Sequence, residues 1–266
     1  MGVKTVISLE DIHHIFPCTS LVSSHYGVSD TVYLTDLGVL KLFESASQEA
    51  ILVEKHLLLH LSSLPISKHS SDIVILKNKP CVMYEKISGK SLEKAANHHI
   101  VQISKFIRDF HTRTAELTST NTQLFDVFHL ASLIDQTRYL PFQEIFDSID
   151  LDFTNDGVIH GDLFLDNVLF DNDLLSGVLD FVEACEGDFL FDLAVVAISW
   201  CLDGEDDHSR VALLLTHYNA EVTFEKFIPY MKYALLYYAT TRYLDNRNYQ
   251  ALLDQIPLID SLRGAP

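Results

Sequence analysis

In the first third of the chain, apolar and polar residues alternate. After it, apolar residues recur at helical spacing. Runs with strand-like patterns predict β-strands over residues 27–34, 39–43, 72–76 and 81–84. Apolar residues at helical spacing predict helices over residues 48–61, 100–111, 193–202, 210–219 and 224–243. Ser8 and Asp11 have the spacing of a capping box, which predicts a short helix before the first strand. The pattern therefore predicts a sheet-rich part to about residue 87 and a helical part after it.

The composition is that of a folded protein. With 266 residues, 48% of them hydrophobic, the chain is long enough for one large domain or two lobes. Its apolar runs are shorter than the roughly 18 to 20 residues that span a bilayer, and its first residues lack the apolar core of a signal peptide. The four cysteines lack C-x-x-C spacing and lie mostly in apolar segments, which favours reduced packing residues. We expect a soluble cytoplasmic protein, and nothing in the sequence indicates its oligomeric state.

The net charge of −18 limits the partners that the chain can have. Binding to nucleic acid or to an anionic membrane depends on Lys and Arg, so the charge argues against both. A nucleotide that arrives with magnesium is not excluded, because a few well-placed cations suffice to bind it. The thirteen histidines are scattered, and His98 and His99 have no third ligand at metal-site spacing in the sequence. We interpret them as surface or core histidines.

Residues 157–192 carry the most informative spacing in the chain. Asp162 follows an apolar strand-like run, Asn167 lies five residues later, and Asp180 ends a second strand-like run. In the kinase template the first Asp orients the acceptor hydroxyl and takes its proton, while the Asn and the later Asp hold magnesium ions that bridge the phosphates. The alternative is a set of solvated turn residues. The ordered spacing favours phosphoryl transfer from ATP, with Asp162 as catalytic residue and Asn167 and Asp180 as Mg²⁺ ligands.

Lys41 lies inside an apolar strand, where an unpaired ammonium group would cost several kcal/mol. A partner is therefore expected, and Glu54 on the helix over residues 48–61 is the preferred one, with Glu49 as the fallback. Such a pair holds the lysine against the α and β phosphates. The alternative is a lysine that extends to solvent from an edge strand.

Two further segments are predicted to bind the nucleotide. The turn over residues 24–29 precedes the first strand and would lie over the phosphates, which makes Ser29 a candidate phosphate contact. Residues 85–90 follow the last strand of the sheet and are expected to form a hinge. Because a strand that leaves a sheet exposes unpaired N–H and C=O groups, the backbones of Glu85 and Ile87 could bind the adenine edge.

The string His160-Gly-Asp, followed by Asp-Asn and a strand Asp, closely resembles the aminoglycoside phosphotransferase and choline kinase superfamily. The resemblance implies an α+β, bilobal, protein-kinase-like fold, with an ATP-binding N-lobe over residues 1–87 and a C-lobe over residues 88–266. The valine after Asp-Phe replaces the glycine of protein kinases, which points away from protein substrates. In that superfamily a second acidic string supports the catalytic loop, so Asp192 is expected to brace the loop, with His160 as a further structural support.

Over nearly its full length the chain also looks like the homoserine kinases of this fold. The likeness is carried by residues 6–8, 26–31, 39–44, 79–92, 160–170, 184–185, 199–204 and 242–244. It departs at residues 121–130, where that family usually has an Asn-x-x-Arg-Gly-Leu-x-Trp string, and at Glu183, where an aromatic residue is common. The resemblance implies L-homoserine as the acceptor of the phosphoryl group.

Candidate acceptor contacts follow from the charges of homoserine. Glu183 would bind its ammonium group and Arg242 its carboxylate, with Trp200 as a third candidate; Arg242 could instead be a structural arginine paired with Asp245. A choline, ethanolamine or aminoglycoside kinase is the alternative enzyme, since residues 205–207 are acidic and suit a cation. A nucleotide-binding pseudokinase is the alternative from another class, although none of the three catalytic and metal-binding positions is lost.

Overall fold

The computed structural model describes residues 3–24, 29–204 and 206–264. The chain divides into two compact units. The first contains Met1–Gly89 together with Ser176–Val182, and the second contains Lys90–Leu175 and Glu183–Pro266. Within the described ranges no helix is both long and apolar enough to cross a membrane.

The first unit is built on a five-stranded antiparallel sheet with the strand order β1-β2-β3-β5-β4. Its strands are β1 (Leu21–Ser23), β2 (Thr31–Thr35), β3 (Val39–Leu42), β4 (Val74–Leu76) and β5 (Lys79–Tyr84). Its helices are α1 (Leu9–Ile12) and α2 (Gln48–His60). The predicted capping box of α1 is confirmed, because Ser8 and Asp11 exchange side-chain to backbone hydrogen bonds.

Strand β3 is the central strand of this sheet, paired with β2 and β5. Leu40 and Leu42 are fully buried in one apolar cluster, while Lys41 between them projects to the other face because side chains alternate along a strand. In the register of the sheet Lys41 lies opposite Val32 on β2 and Val82 on β5. A charged side chain is thus fixed on a paired strand, and the predicted alternative of an edge strand is excluded.

The division of the chain differs from the predicted boundary at residue 87, because a segment far along the sequence belongs to the first unit. Val178 forms a parallel bridge with Ile66. Its carbonyl accepts a hydrogen bond from Ser67 N at 2.9 Å, and its N–H donates to Pro65 O at 2.9 Å. These bonds join Ser176–Val182, and with it Asp180, to the part that the sequence assigns to the N-lobe.

The second unit is mainly helical. Its helices are α3 (Asn97–Thr114), α4 (Val127–Thr137), α5 (Leu140–Asp147), α6 (Phe189–Val196), α7 (Asp207–Tyr218), α8 (Phe224–Leu244), α9 (Gln250–Leu253) and α10 (Ile256–Ser261). Strand β6 (Gly157–Ile159) pairs with β9 (Cys185–Gly187), and β7 (Val168–Asp171) forms a two-stranded sheet with β8 (Leu174–Val178), whose last residues belong to the first unit. The helix predicted over residues 193–202 is in fact α6 followed by a π-helical turn, Ala197–Cys201.

Helices α3 and α6 hold the strand that leads to the predicted catalytic residues. Thr114, fully buried at the end of α3, donates a hydrogen bond to Val158 O on β6 at 2.8 Å. Asp188 is the N-cap of α6, and its side chain accepts from Leu190 N. In the first turn of α6, Asp192 accepts from the N–H of His160, the residue directly after β6, at 2.8 Å. The contacts of Thr114 and Asp192 therefore fix the position from which the loop after β6 starts.

Candidate active site

Acidic side chains of the first unit enclose the ammonium group of Lys41. Nζ lies 2.8 Å from Asp180 Oδ1 and 3.0 Å from Asp30 Oδ2, and 4.7 Å from the centre of the Phe43 ring. Burial alone would lower the pKa of Lys41, but the negative charges of nearby carboxylates, Asp180 foremost, raise it above its usual value. Lys41 is therefore a buried, protonated cation at neutral pH.

The predicted ion pair between Lys41 and Glu54 is not formed among the described residues. Glu54 is 1% exposed, and its Oε2 accepts hydrogen bonds from Tyr84 OH at 2.7 Å and His69 Nε2 at 3.1 Å. Its charge still contributes to the raised pKa of Lys41. Two other carboxylates lie in direct contact with the ammonium group, so Glu54 is a neighbour and not the nearest partner. Glu49, the fallback, is exposed near the start of α2.

Asp30 is the partner of Lys41 that sequence reasoning missed. Its Oδ2 contacts Lys41, and its Oδ1 accepts a hydrogen bond from Glu44 N at 2.9 Å. The signal for it lay in the strand period: Asp30 precedes Val32 by two residues, and Val32 is the register partner of Lys41. Residues two apart on an extended chain point to the same side, so Asp30 and Lys41 were candidates for contact.

The turn predicted over the phosphates, residues 24–29, lies mostly outside the described residues. Ser29 is described and exposed. Its carbonyl accepts a hydrogen bond from Lys4 Nζ at 2.8 Å. Its role as a phosphate contact stays a prediction.

The hinge after β5 offers fewer backbone groups than its sequence suggested. Glu85 N–H donates to Lys68 O at 2.8 Å, so this donor is already used. The Glu85 carbonyl and the Ile87 backbone form no hydrogen bond with other described residues. One acceptor on Glu85 and both backbone groups on Ile87 thus remain without a partner among the described residues, and their contact with an adenine ring stays a prediction.

In the second unit, Asp162 and Asn167 are brought together by a turn of 3₁₀ helix, Leu165–Asn167. Asn167 Nδ2 donates to both Asp162 O and Asp162 Oδ2, each at 2.8 Å. Asp162 N in turn donates to His160 Nδ1 at 3.2 Å. The amide of Asn167 therefore orients the carboxylate of Asp162 and turns its own Oδ1 away from it.

Asp192 holds the start of this loop from the first turn of α6. It is 0% exposed and accepts hydrogen bonds from His160 N at 2.8 Å, Gly161 N at 2.7 Å and His111 Nε2 at 3.1 Å. Burial would raise the pKa of Asp192, but these hydrogen bonds and the neighbouring histidines hold it below its ordinary value. Gly161 has φ +80°, and a Cβ there would collide with the ring of Phe125.

Trp200 cannot contact an acceptor, contrary to its prediction as a substrate residue, because it is only 2% exposed. Its Nε1 donates to Leu163 O at 2.8 Å, and its carbonyl accepts from the Arg210 guanidinium at 2.5 Å. Trp200 therefore supports the catalytic loop from the π-helical turn.

Arg242 on α8 is a half-buried cation that forms no ion pair or side-chain hydrogen bond with the described residues. Asp245, its expected structural partner, pairs with Arg247 at 2.8 Å instead. Burial and the charge of Arg247 lower the pKa of Arg242, whereas the charges of Asp166 and Asp162 oppose that shift. Arg242 thus lies within electrostatic range of Asp162 with its donors unused.

Glu183 is exposed in the segment that leads to β9. The pKa of Tyr237 is raised by burial and, next, by the charge of Glu183. The second unit therefore also presents a carboxylate beside an aromatic side chain.

The sequence model of the phosphotransferase enzyme family (APH) matches residues 25–221, which include Lys41, Asp162, Asn167 and Asp180. The chain belongs to this family. The prediction that the chain belongs to the aminoglycoside phosphotransferase and choline kinase group is confirmed.

Similar proteins include the homoserine kinase of Methylobacillus glycogenes, which is 30% identical over 255 residues, 83% of this chain and 78% of that protein. The GDP complex of a wild-type aminoglycoside 2'-phosphotransferase-IIIa superposes with a TM-score of 0.69 at 15% identity, over 95% of this chain and 96% of that one. Choline kinase LicA from Streptococcus pneumoniae gives a TM-score of 0.66 at 14% identity, over 94% and 97%. The two structural likenesses confirm the predicted α+β, protein-kinase-like fold of this phosphotransferase.

One histidine cluster of the phosphotransferase has the composition of a metal site. The side chains of His98, His99 and Asp173 place possible ligand atoms within 4.8 Å of one another, so the fold supplies a third group that the sequence spacing lacked. However, Ala96 N donates to His99 Nδ1 at 3.0 Å. Burial lowers the pKa of His99, so the neutral ring carries its proton on Nε2, 3.5 Å from Asp173. A protonated nitrogen does not ligate a metal, and the cluster remains a pair of histidines beside a carboxylate.

Asp192→Asn should destabilise this phosphotransferase by about 2 to 4 kcal/mol at pH 7, because an amide replaces a buried carboxylate that three N–H groups share. The folded-state pKa is lowered, so the stabilisation is complete above about pH 5 and is lost as the pH falls through the ordinary value of 3.8 and below. Urea unfolding of both proteins between pH 7 and pH 3 measures the difference, which should be constant to pH 5 and then shrink.

The matched control is Asp147→Asn. Asp147 is exposed and bonds only Gln143 Nε2 at 2.7 Å among the described side chains, so its replacement should change the unfolding free energy by no more than about 0.5 kcal/mol. Equal effects of the two substitutions would contradict the role given to Asp192.

Proposed function

We propose that this phosphotransferase is an ATP-dependent kinase that converts L-homoserine to O-phosphohomoserine. The observation that carries the proposal is the 30% identity to a homoserine kinase over 83% of the chain, in a chain that retains Asp162, Asn167 and Asp180. In the reaction the homoserine hydroxyl oxygen forms a bond to the γ phosphorus, the bond from that phosphorus to ADP breaks, and the hydroxyl proton passes to a base.

Asp162 is the residue proposed to orient the hydroxyl and to accept its proton. Asn167 donates to Asp162 Oδ2 at 2.8 Å and so fixes the orientation of the carboxylate. The hydrogen bonds that Asp192 accepts from His160 N and Gly161 N hold the loop in place. A general base positioned in this way typically accelerates a reaction by a factor of about 10² to 10⁴.

The residues present fit a magnesium ion by donor chemistry. Asn167 uses Nδ2 for both hydrogen bonds to Asp162, which leaves Oδ1 for a cation, and Asp180 supplies a carboxylate. Oxygen donors of this kind suit Mg²⁺, which when bound neutralises charge on the β and γ phosphates. Lys41, protonated in its acidic surroundings, is the proposed contact to the α and β phosphates. The remaining proposed nucleotide contacts are Ser29, the Glu85 carbonyl and the Ile87 backbone. The Glu85 N–H is left out because it donates to Lys68 O.

The acceptor is proposed to bind through both of its charges. Arg242, a cation without an ion-pair partner in the described ranges, suits the carboxylate of homoserine, and the exposed Glu183 suits its ammonium group. Choline and ethanolamine have no carboxylate and would lack the hydrogen bond between charged groups that homoserine makes with Arg242, worth about 1.5 kcal/mol at the low end because the arginine is only half-buried. This difference favours homoserine over the amino alcohols and aminoglycosides.

A coupled ADP-release assay over homoserine, choline, ethanolamine and kanamycin tests the substrate. Homoserine should give the highest kcat/KM, at least about tenfold above the others. The contact of its carboxylate with Arg242 would contribute about 1.5 kcal/mol or more, and about 1.4 kcal/mol corresponds to a factor of ten. An enzyme that phosphorylates one of the amines but ignores homoserine would overturn the acceptor and leave the kinase. MgATP binding without turnover on any acceptor would indicate a pseudokinase.

Asp162→Asn should lower kcat by roughly 10²-fold or more, because an amide cannot take the hydroxyl proton. The dissociation constant for ATP, measured by calorimetry, should change little, since the proposed nucleotide contacts lie on other residues. Near-normal turnover in this variant would show that Asp162 is not the base.

Arg242→Gln should raise KM for homoserine by about tenfold to a hundredfold, because a hydrogen bond between charged groups contributes about 1.5 to 3 kcal/mol. Ethanolamine, which has no carboxylate, serves as the acceptor that should be unaffected. Arg247→Gln is the control variant on the neighbouring arginine, whose partner is Asp245, and should change KM by about twofold or less. A uniform loss with both acceptors would argue for a structural role of Arg242.

A further inference from the structure

The two carboxylate oxygens of Glu54 have different surroundings. Oε2 accepts hydrogen bonds from Tyr84 OH at 2.7 Å and from His69 Nε2 at 3.1 Å. Oε1 is buried and has no hydrogen-bond partner among the described residues. Buried polar atoms without a partner are rare in folded proteins and are commonly a sign of a functional role or an absent partner. Glu54 is thus held in place through Oε2, while Oε1 is buried and accepts no hydrogen bond from the described residues.

Lys41 is the cation suited to this unused oxygen. Tyr84, which binds Glu54, lies two residues after Val82, the register partner of Lys41, so Lys41 and Tyr84 project from the same face of the sheet. The charge of Glu54 is also among the causes that raise the pKa of Lys41. An ammonium group has three N–H donors. Lys41 donates one of them to Asp180 Oδ1 at 2.8 Å, and Asp30 Oδ2 lies at ion-pair distance, 3.0 Å from Nζ. One donor on Lys41 and one acceptor on Glu54 therefore remain available to each other.

Tyr84 and His69 are themselves fixed by the backbone of the first unit. Tyr84 is the last residue of β5, and His69 forms an antiparallel bridge with it. The hydrogen bonds of Glu85 N to Lys68 O and of Ser70 N to Met83 O, both 2.8 Å, flank that bridge. The two rings meet edge to face with centres 4.7 Å apart.

The proton positions follow from the chemistry of the acceptor. A carboxylate only accepts hydrogen bonds, so His69 donates from Nε2–H. Burial and the charge of Glu54 raise the pKa of Tyr84 well above its ordinary value, so its hydroxyl keeps its proton and donates. Both donors act on Oε2, and neither competes for Oε1.

We infer that Tyr84 and His69 are positioning residues for the nucleotide site: they hold Glu54 by Oε2 so that Oε1 receives the Lys41 ammonium group when Asp180 turns to a magnesium ion. This rests on the proposed function, in which Asp180 is a metal ligand. Asp180 Oδ1 now accepts from Lys41 at 2.8 Å, and an oxygen that ligates magnesium is no longer available to the lysine in the same way. Glu54 then joins Asp30 in compensating the buried ammonium group and keeps it aimed at the phosphates.

Tyr84→Phe tests this inference by removing one hydroxyl group. The matched control is Tyr33→Phe on the same sheet. Tyr33 is 4% exposed, and its hydroxyl accepts from Ile7 N at 3.1 Å and donates to Thr5 O at 3.2 Å, with no contact to Glu54. The dissociation constant for MgATP, measured by calorimetry without acceptor, should rise about fivefold to tenfold in Tyr84→Phe and by about twofold or less in Tyr33→Phe. Thermal unfolding of the two variants should show similar losses.

A double-mutant cycle separates positioning from mere stability. In a Glu54→Gln background, Tyr84→Phe should weaken MgATP binding by about twofold or less, because its effect passes through the carboxylate. His69→Gln retains an N–H donor near the position of Nε2 and should bind MgATP better than His69→Leu.

The outcomes are distinct from those that test the proposed function. Wild-type protein that binds no MgATP would refute the kinase proposal itself. Wild-type protein that binds MgATP while Tyr84→Phe binds it equally well would overturn the positioning role alone, as would equal effects of Tyr84→Phe with and without Glu54→Gln.

Discussion

The ammonium group of Lys41 is the charge around which the first unit is organised. A cation on a central strand is stable only if anions reach it, since an isolated buried charge costs several kcal/mol. Asp30 reaches it from the start of β2 and Asp180 from the segment that Val178 joins to residues 65–67. Two neighbouring segments of the sheet and one segment far along the chain therefore meet at one positive charge.

A buried anion has the corresponding role in the second unit. Asp192 accepts hydrogen bonds from the N–H groups of His160 and Gly161 and from His111, so these bonds hold the start of the loop that carries Asp162 without any substrate. Asn167 adds an orienting contact on the carboxylate itself. Preorganised hydrogen bonds of this kind are the usual source of precision in an active site, because they need no rearrangement during the reaction.

Much of this arrangement follows from local sequence. The strand period places Lys41 on a β-strand, and the five-residue interval from Asp162 to Asn167 fits one short turn, so both could be predicted without a structure. The choice among the carboxylates near Lys41 could not. The strand period makes Asp30 a candidate only once the register of β2 and β3 is known, and Glu54 is occupied by two donors from another segment, Tyr84 and His69. The same limit explains Trp200: a helical period shows that the residue lies on an apolar segment, but not that its indole N–H is used by Leu163 O.

The departure from the homoserine kinase pattern at residues 121–130 lies against the catalytic loop. Asn121 Nδ2 donates to Ala184 O at 2.9 Å, and Phe125 O accepts from Tyr233 OH at 3.0 Å. The Phe125 ring closes on Gly161, which leaves no room for a side chain there. This segment thus contributes backbone and ring contacts around the loop that carries Asp162, whereas the carboxylate of Asp162 is oriented by Asn167. Changes in residues 121–130 therefore alter the surroundings of Gly161 and Ala184 without altering the hydrogen bonds between Asn167 and Asp162.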